Sequence, residues 1–82
     1  MNSKYYQTPK QTFLFEIYSY QNGYKAAIFG WSNSQLRLID TKYYHNTIEE
    51  VVYEIQDNRG QIESISESEF DELYNKNKQI ID

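Results

Sequence analysis

Asn22-Gly23 lies between two stretches dense in aromatic and β-branched residues, Thr12–Tyr20 and Tyr24–Trp31. Asn-Gly in that setting is the strongest local signal for a tight antiparallel turn, because both residues tolerate the positive φ that a short loop needs. A β-hairpin is therefore expected over residues 12–31, and its register decides which side chains share a face. A two-residue turn at Asn22-Gly23 would pair Gln21 with Tyr24 and set Phe15 opposite Gly30. A three-residue loop, Gln21-Asn22-Gly23 with Gly23 in a left-handed bulge, would pair Tyr20 with Tyr24. A slip of one residue turns the whole set over. The three-residue loop gathers Phe13, Phe15, Ile17, Ala27, Phe29 and Trp31 on one face, which is the more coherent core and the preferred reading. Neither register leaves a purely polar outer face.

The rest of the chain follows the same punctuation. Residues 1–10 are polar and end near Pro9, as a tail or short edge strand would, and residues 11–82 read as a single domain. Ser32-Asn33-Ser34 is a turn signal before a third strand, Gln35–Asp40, with Leu36 and Leu38 on one side. Thr47 and Glu50 stand in capping-box spacing, and Ile48, Val51, Val52 and Ile55 form one apolar stripe at helical period. Gly60 supplies a left-handed stop. A short strand over Gln61–Ile65 precedes a second capping box, Ser66 to Glu69. Phe70, Leu73, Tyr74 and Ile80 or Ile81 then line a last helix. The expected fold is α+β: a small antiparallel meander sheet packed against two helices, in the order βββαβα.

Size and composition remove several function classes. Eighty-two residues suffice for one small domain. With no cysteine there is no disulfide framework, thiolate metal site or cysteine nucleophile. One histidine, His45, cannot build a zinc site alone and reads as a loop residue before a helix. Glycine-rich phosphate loops, metal-ligand spacing and nucleophile elbows are all missing, and Glu49 and Glu50 diverge around their helix. The expectation is a non-enzymatic protein without cofactor or metal. No apolar run is long enough for a membrane span, and the N-terminus has no apolar signal core, so a cytoplasmic protein is expected. The abundance of Lys, Asn, Ile and Tyr suggests an AT-rich bacterial or phage genome.

Charge is divided along the chain. Residues 1–44 carry five basic and two acidic side chains, while residues 45–82 carry three basic and ten acidic, giving +3 and −7. Such a division can orient a partner at long range. Acidic residues also favour solvent faces and first turns of helices, where they complement the helix dipole.

Nine tyrosines are too many for so small a core to bury with their hydroxyls satisfied. Some must be half-exposed, where an apolar ring with a polar tip suits an interface. They can equally pack cross-strand and stabilise the hairpin locally. The candidate partner-binding residues are Tyr18, Tyr20, Tyr24, Tyr43 and Tyr44 as anchors, with Arg37 and the acidic run Glu67, Glu69, Asp71 and Glu72 for steering. Self-association through a spare apolar face is the second expectation. Aromatics beside Lys25, Arg37 and Lys42 could stack single-stranded bases, but the domain is acidic and has no basic cluster. The acidic run could instead imitate a phosphate backbone.

The stretch from Phe13 to Asn58 resembles the small βββα modules of HicB-type antitoxins. The resemblance rests on the Asn22-Gly23-Tyr24 hairpin turn and the Thr47-Ile48-Glu49-Glu50 helix start, and covers about half of the chain. That family's proline- and glycine-rich segment before the third strand is missing. The resemblance implies a neutralising protein partner, and stoichiometric occlusion of a macromolecule (as by an inhibitor, antitoxin, immunity or anti-defence protein) is the expected mode of action.

Overall fold

A computed structural model of the chain describes residues 3–32, 35–45 and 47–77. The elements are β1 (Ser3–Gln7), β2 (Phe13–Tyr20), β3 (Gly23–Ser32), β4 (Gln35–Tyr44), α1 (Ile48–Arg59), β5 (Glu63–Ile65) and α2 (Glu67–Asn77). The strands form one antiparallel sheet in the order β4-β3-β2-β1-β5. The α+β meander is thus present, with one more strand than expected.

That strand comes from the polar N-terminal segment, which pairs on both sides rather than forming a tail or an edge. Alternation explains how so polar a stretch is retained. Tyr5 points to one face and meets Phe70, while Tyr6 points to the other and joins a different core cluster. Thr8 then closes the β1–β2 turn. Its buried hydroxyl accepts hydrogen bonds from the backbone N–H groups of Thr12 (2.9 Å) and Phe13 (3.1 Å).

The β2–β3 hairpin is present, in neither of the two expected registers. Its loop is Gln21-Asn22, Tyr20 faces Gly23, and Phe15 faces Ile28. Gln21, with φ of 53°, takes the left-handed position that the sequence reserved for glycine. Gly23 instead sits in the strand, where a Cβ would run into the carbonyl oxygen of Tyr44. Phe13, Phe15 and Ile17 therefore share a face with Ala26 and Ile28, and Ala27, Phe29 and Trp31 lie on the other side with Leu14. The expected single core face is corrected to two.

Each face is closed by one helix. On the first, α1 presents Ile48, Val51, Val52 and Ile55 to Phe15, Ile17, Ala26, Ile28, Tyr44 and Ile62. Thr47 and Glu50 cap it reciprocally, and Gly60 ends it with φ of 87° and its N–H bonded to the Gln56 carbonyl at 2.9 Å. On the second, α2 presents Phe70, Leu73 and Tyr74 to Tyr5, Leu14, Phe29, Trp31, Leu36 and Ile65. Ser66 and Glu69 cap α2 in the same reciprocal way. A sheet covered on both sides needs no polar face, which is why the hairpin strands show so little alternation. The expected contributions of Ile80 and Ile81, and of Asn33 and Ser34, lie outside the described residues. Among the described residues no helix is long and apolar enough to cross a membrane.

Candidate interaction surface

α2 covers only one end of its face. Its aromatic contacts are with Tyr5 (4.7 Å between ring centroids to Phe70) and Phe29 (5.7 Å to Phe70 and 5.4 Å to Tyr74). Phe29 lies opposite Leu14. Tyr20 is six residues further along β2, roughly 20 Å away at the rise of a strand. On this face, that end of the sheet carries tyrosines beyond the reach of α2.

The register brings them together. Tyr18 on β2, Lys25 on β3 and Tyr43 on β4 stand directly across from one another in one row. Tyr20, two residues beyond Tyr18, leans across so that its ring centroid is 5.3 Å from that of Tyr43. The Lys25 ammonium lies over both rings, 5.2 Å from Tyr20 and 5.3 Å from Tyr43. The charge meets the negative faces of the rings, which is the cation–π geometry. Desolvation works against the charged form of Lys25, but hydrogen bonds to Tyr18 and Tyr43 prevail and hold its pKa above the ordinary lysine value. Tyr20 and Tyr43 remain 38% and 56% exposed.

Around the end of the sheet, Tyr20, Tyr24, Tyr43, Tyr44 and His45 line an open hollow of about 260 Å³ with Gln21. Tyr24 and Tyr44 are paired across β3 and β4 on the α1 side. Tyr44 is buried beneath α1, where loss of solvation raises its pKa, so it is a core residue rather than an exposed anchor. Tyr24 is half-buried against the same cluster and shows only part of its ring.

The remaining candidates lie elsewhere. Arg37 is near the opposite end of β4, hydrogen-bonded to Gln35 at 2.6 Å. Glu67, Glu69, Asp71 and Glu72 are exposed on α2. Glu69 caps its own helix, and hydrogen bonds from Ser66 hold its carboxyl below the usual range. Glu67 and Asp71 face Tyr5, whose pKa is raised first by burial and then by neighbouring carboxylates. The acidic run therefore does not converge with the tyrosines on one surface. Lys25 is the member that the candidate set omits. Neither expected register sets Lys25 opposite Tyr18 (they set Ala26 or Ala27 there), so only the observed pairing brings it onto the tyrosine face.

A second open hollow, of about 450 Å³, lies between β1 and α1 and is lined by Lys4, Tyr6, Ile48, Glu49, Val52, Tyr53 and Gln56. Its charged groups are one ammonium and one carboxylate, which can hold a polar ligand by its ends but form no nucleophile–base pair. No group of three or more His, Asp or Glu side chains among the described residues is placed to hold a metal. No family model, curated protein or solved structure matches the chain.

Proposed function

We propose that this protein is a non-enzymatic cytoplasmic binding module that occludes a protein partner stoichiometrically through the hairpin end of its sheet. The observation that supports this reading is the exposed Tyr20–Tyr43 pair held over Lys25. Two large amphipathic rings, already ordered by a cation between them, offer contact area at little further cost in side-chain entropy. Tyr18 stands in the same row as Lys25 and Tyr43, and Tyr24 and Tyr44 line the adjoining hollow from the α1 side. Arg37 and the acidic residues of α2 are too far from it to be anchors, and serve as long-range steering.

A polyanion is a poorer occupant of the same surface, because Lys25 is engaged by its own tyrosines and acidic helices flank both faces of the sheet. The test is quantitative capture from the native host by wild-type protein and by the Tyr20→Ala/Tyr43→Ala double variant, with retained proteins identified by mass spectrometry. A protein retained in stoichiometric amount by the first and lost by the second, at an unchanged unfolding midpoint, supports the surface. Equal retention by both removes it.

A further inference from the structure

The β1–β2 turn lies at the opposite end of β2 from the tyrosines, since Phe13 begins that strand and Tyr20 ends it. There the turn meets the end of α1. Thr8, Pro9, Lys10, Thr12, Arg59 and Gln61 line an open hollow of about 250 Å³. In a chain of net charge −4, this hollow is lined by two cations and by no carboxylate. A hollow of that charge suits an anion.

Its donors are oriented by their neighbours. Thr8 Oγ1 accepts from the N–H groups of Thr12 and Phe13 and lies 2.8 Å from Thr12 Oγ1. A hydroxyl has two lone pairs and one proton, so Thr8, with both lone pairs engaged, donates to Thr12. The Thr12 proton is thereby directed away from Thr8, and it has no acceptor among the described residues. The Arg59 guanidinium carbon lies 4.8 Å from the centroid of the Phe13 ring, and its Nη2 is 3.9 Å from Asp40 Oδ2. Asp40 does not line the hollow, and one long contact leaves the other N–H groups of the fork for a second acceptor. Lys10, exposed in the turn, has no carboxylate within ion-pair distance among the described residues.

We propose that this hollow binds a phosphate group, free or as a monoester, between Lys10, Thr12 and Arg59. The guanidinium fork matches two oxygens of a tetrahedral anion, and the ammonium and the hydroxyl serve a third. A planar carboxylate has only two oxygens and leaves one donor without an acceptor. The site does not depend on the proposed partner surface, because none of its residues lines the tyrosine hollow.

The test is titration of the full chain with inorganic phosphate, O-phosphoserine and acetate, followed by NMR of the backbone amides, with chloride holding the ionic strength constant. Saturable shifts at Lys10, Thr12 and Gln61 are expected with inorganic phosphate, while Tyr20 and Tyr43 stay in place. Acetate should bind at least about fivefold more weakly. Lys10→Gln removes one charge, and Arg59→Lys keeps the charge but loses the fork. Each should weaken phosphate at least about fivefold. Lys10 is exposed, so an unfolding midpoint unchanged in Lys10→Gln separates lost binding from lost fold. Phosphoserine binding as tightly as inorganic phosphate identifies an ester-accepting site, and binding of inorganic phosphate alone identifies a site for the free ion; either supports the proposal. Shifts no larger than those from chloride, or an affinity unchanged in Lys10→Gln, overturn it.

Discussion

Tyr20 at the end of β2 and Tyr43 on β4 bring their rings to 5.3 Å across the intervening strand, with the Lys25 ammonium over both. The cluster is a consequence of register, since Tyr18, Lys25 and Tyr43 occupy one row and Tyr20 closes over it. Lys25→Ala should release both rings while leaving the two cores intact. The near-UV circular dichroism of tyrosine is expected to fall, with far-UV signal and melting temperature almost unchanged. A large drop in melting temperature would mean that the cluster holds the hairpin together rather than ordering its surface.

The two cores predict two kinds of loss. Phe15 is fully buried in the α1-side cluster, and Phe70 is 5% exposed in the α2-side cluster. Phe15→Ala should cost about 3–5 kcal/mol, comparable with the whole stability of a small domain, and abolish the cooperative transition. Phe70→Ala removes the ring contacts to Tyr5 and Phe29 that hold α2 to the sheet. Hydrogen exchange should then show α2 losing protection while β2 and β3 keep theirs. Equal loss in all elements would show that the two layers unfold as one.

How much of this was legible in the sequence depends on the range of the interactions. Thr47 with Glu50, Ser66 with Glu69, and the apolar stripe Ile48–Ile55 are local signals, and each forms as written. The hairpin was equally plain, but its register was not, because Gln21 accepts a left-handed φ and Gly23 is required by a neighbour twenty-one residues away, Tyr44. No pattern within the hairpin contains that neighbour. The missing polar face was a real clue to a sheet covered on both sides. It could not say that α2 reaches only one end, and so could not separate the exposed Tyr43 from the buried Tyr44 next to it.

The cap of α2 predicts an acid response. Hydrogen bonds from Ser66 lower the pKa of Glu69, so ionised Glu69 favours the folded helix. Its contribution is complete above the ordinary glutamate pKa and is lost as pH falls through the lowered one. Amide exchange of the first turn of α2 should accelerate across that acidic window, with the β2–β3 strands unaffected. Ser66→Ala should cost about 1 kcal/mol at neutral pH and narrow the window without removing it, because the backbone N–H of residue 66 still reaches the Glu69 carboxylate. An α2 whose protection is flat with pH would show that the carboxylate contributes nothing to the cap.

Gly23 and Gly60 separate two reasons for a glycine. A Cβ at Gly60 meets nothing within 4 Å, so Gly60→Ala is penalised only through its φ of 87°, by about 1 kcal/mol. Gly23 lacks a positive φ, but a Cβ there collides with the Tyr44 carbonyl oxygen, and backbone cannot yield as a side chain tip does. Gly23→Ala must push β4 away from β3 at the row where Tyr24 faces Tyr44. The expected cost is about 1–3 kcal/mol, as for overpacking in a filled core. The tyrosine hollow should open as well, seen as loss of the near-UV tyrosine signal and of partner capture. Urea unfolding of the two variants side by side distinguishes the cases. If Gly23→Ala is as mild as Gly60→Ala and keeps the tyrosine signal, the close approach of β3 to Tyr44 does not fix the hairpin end.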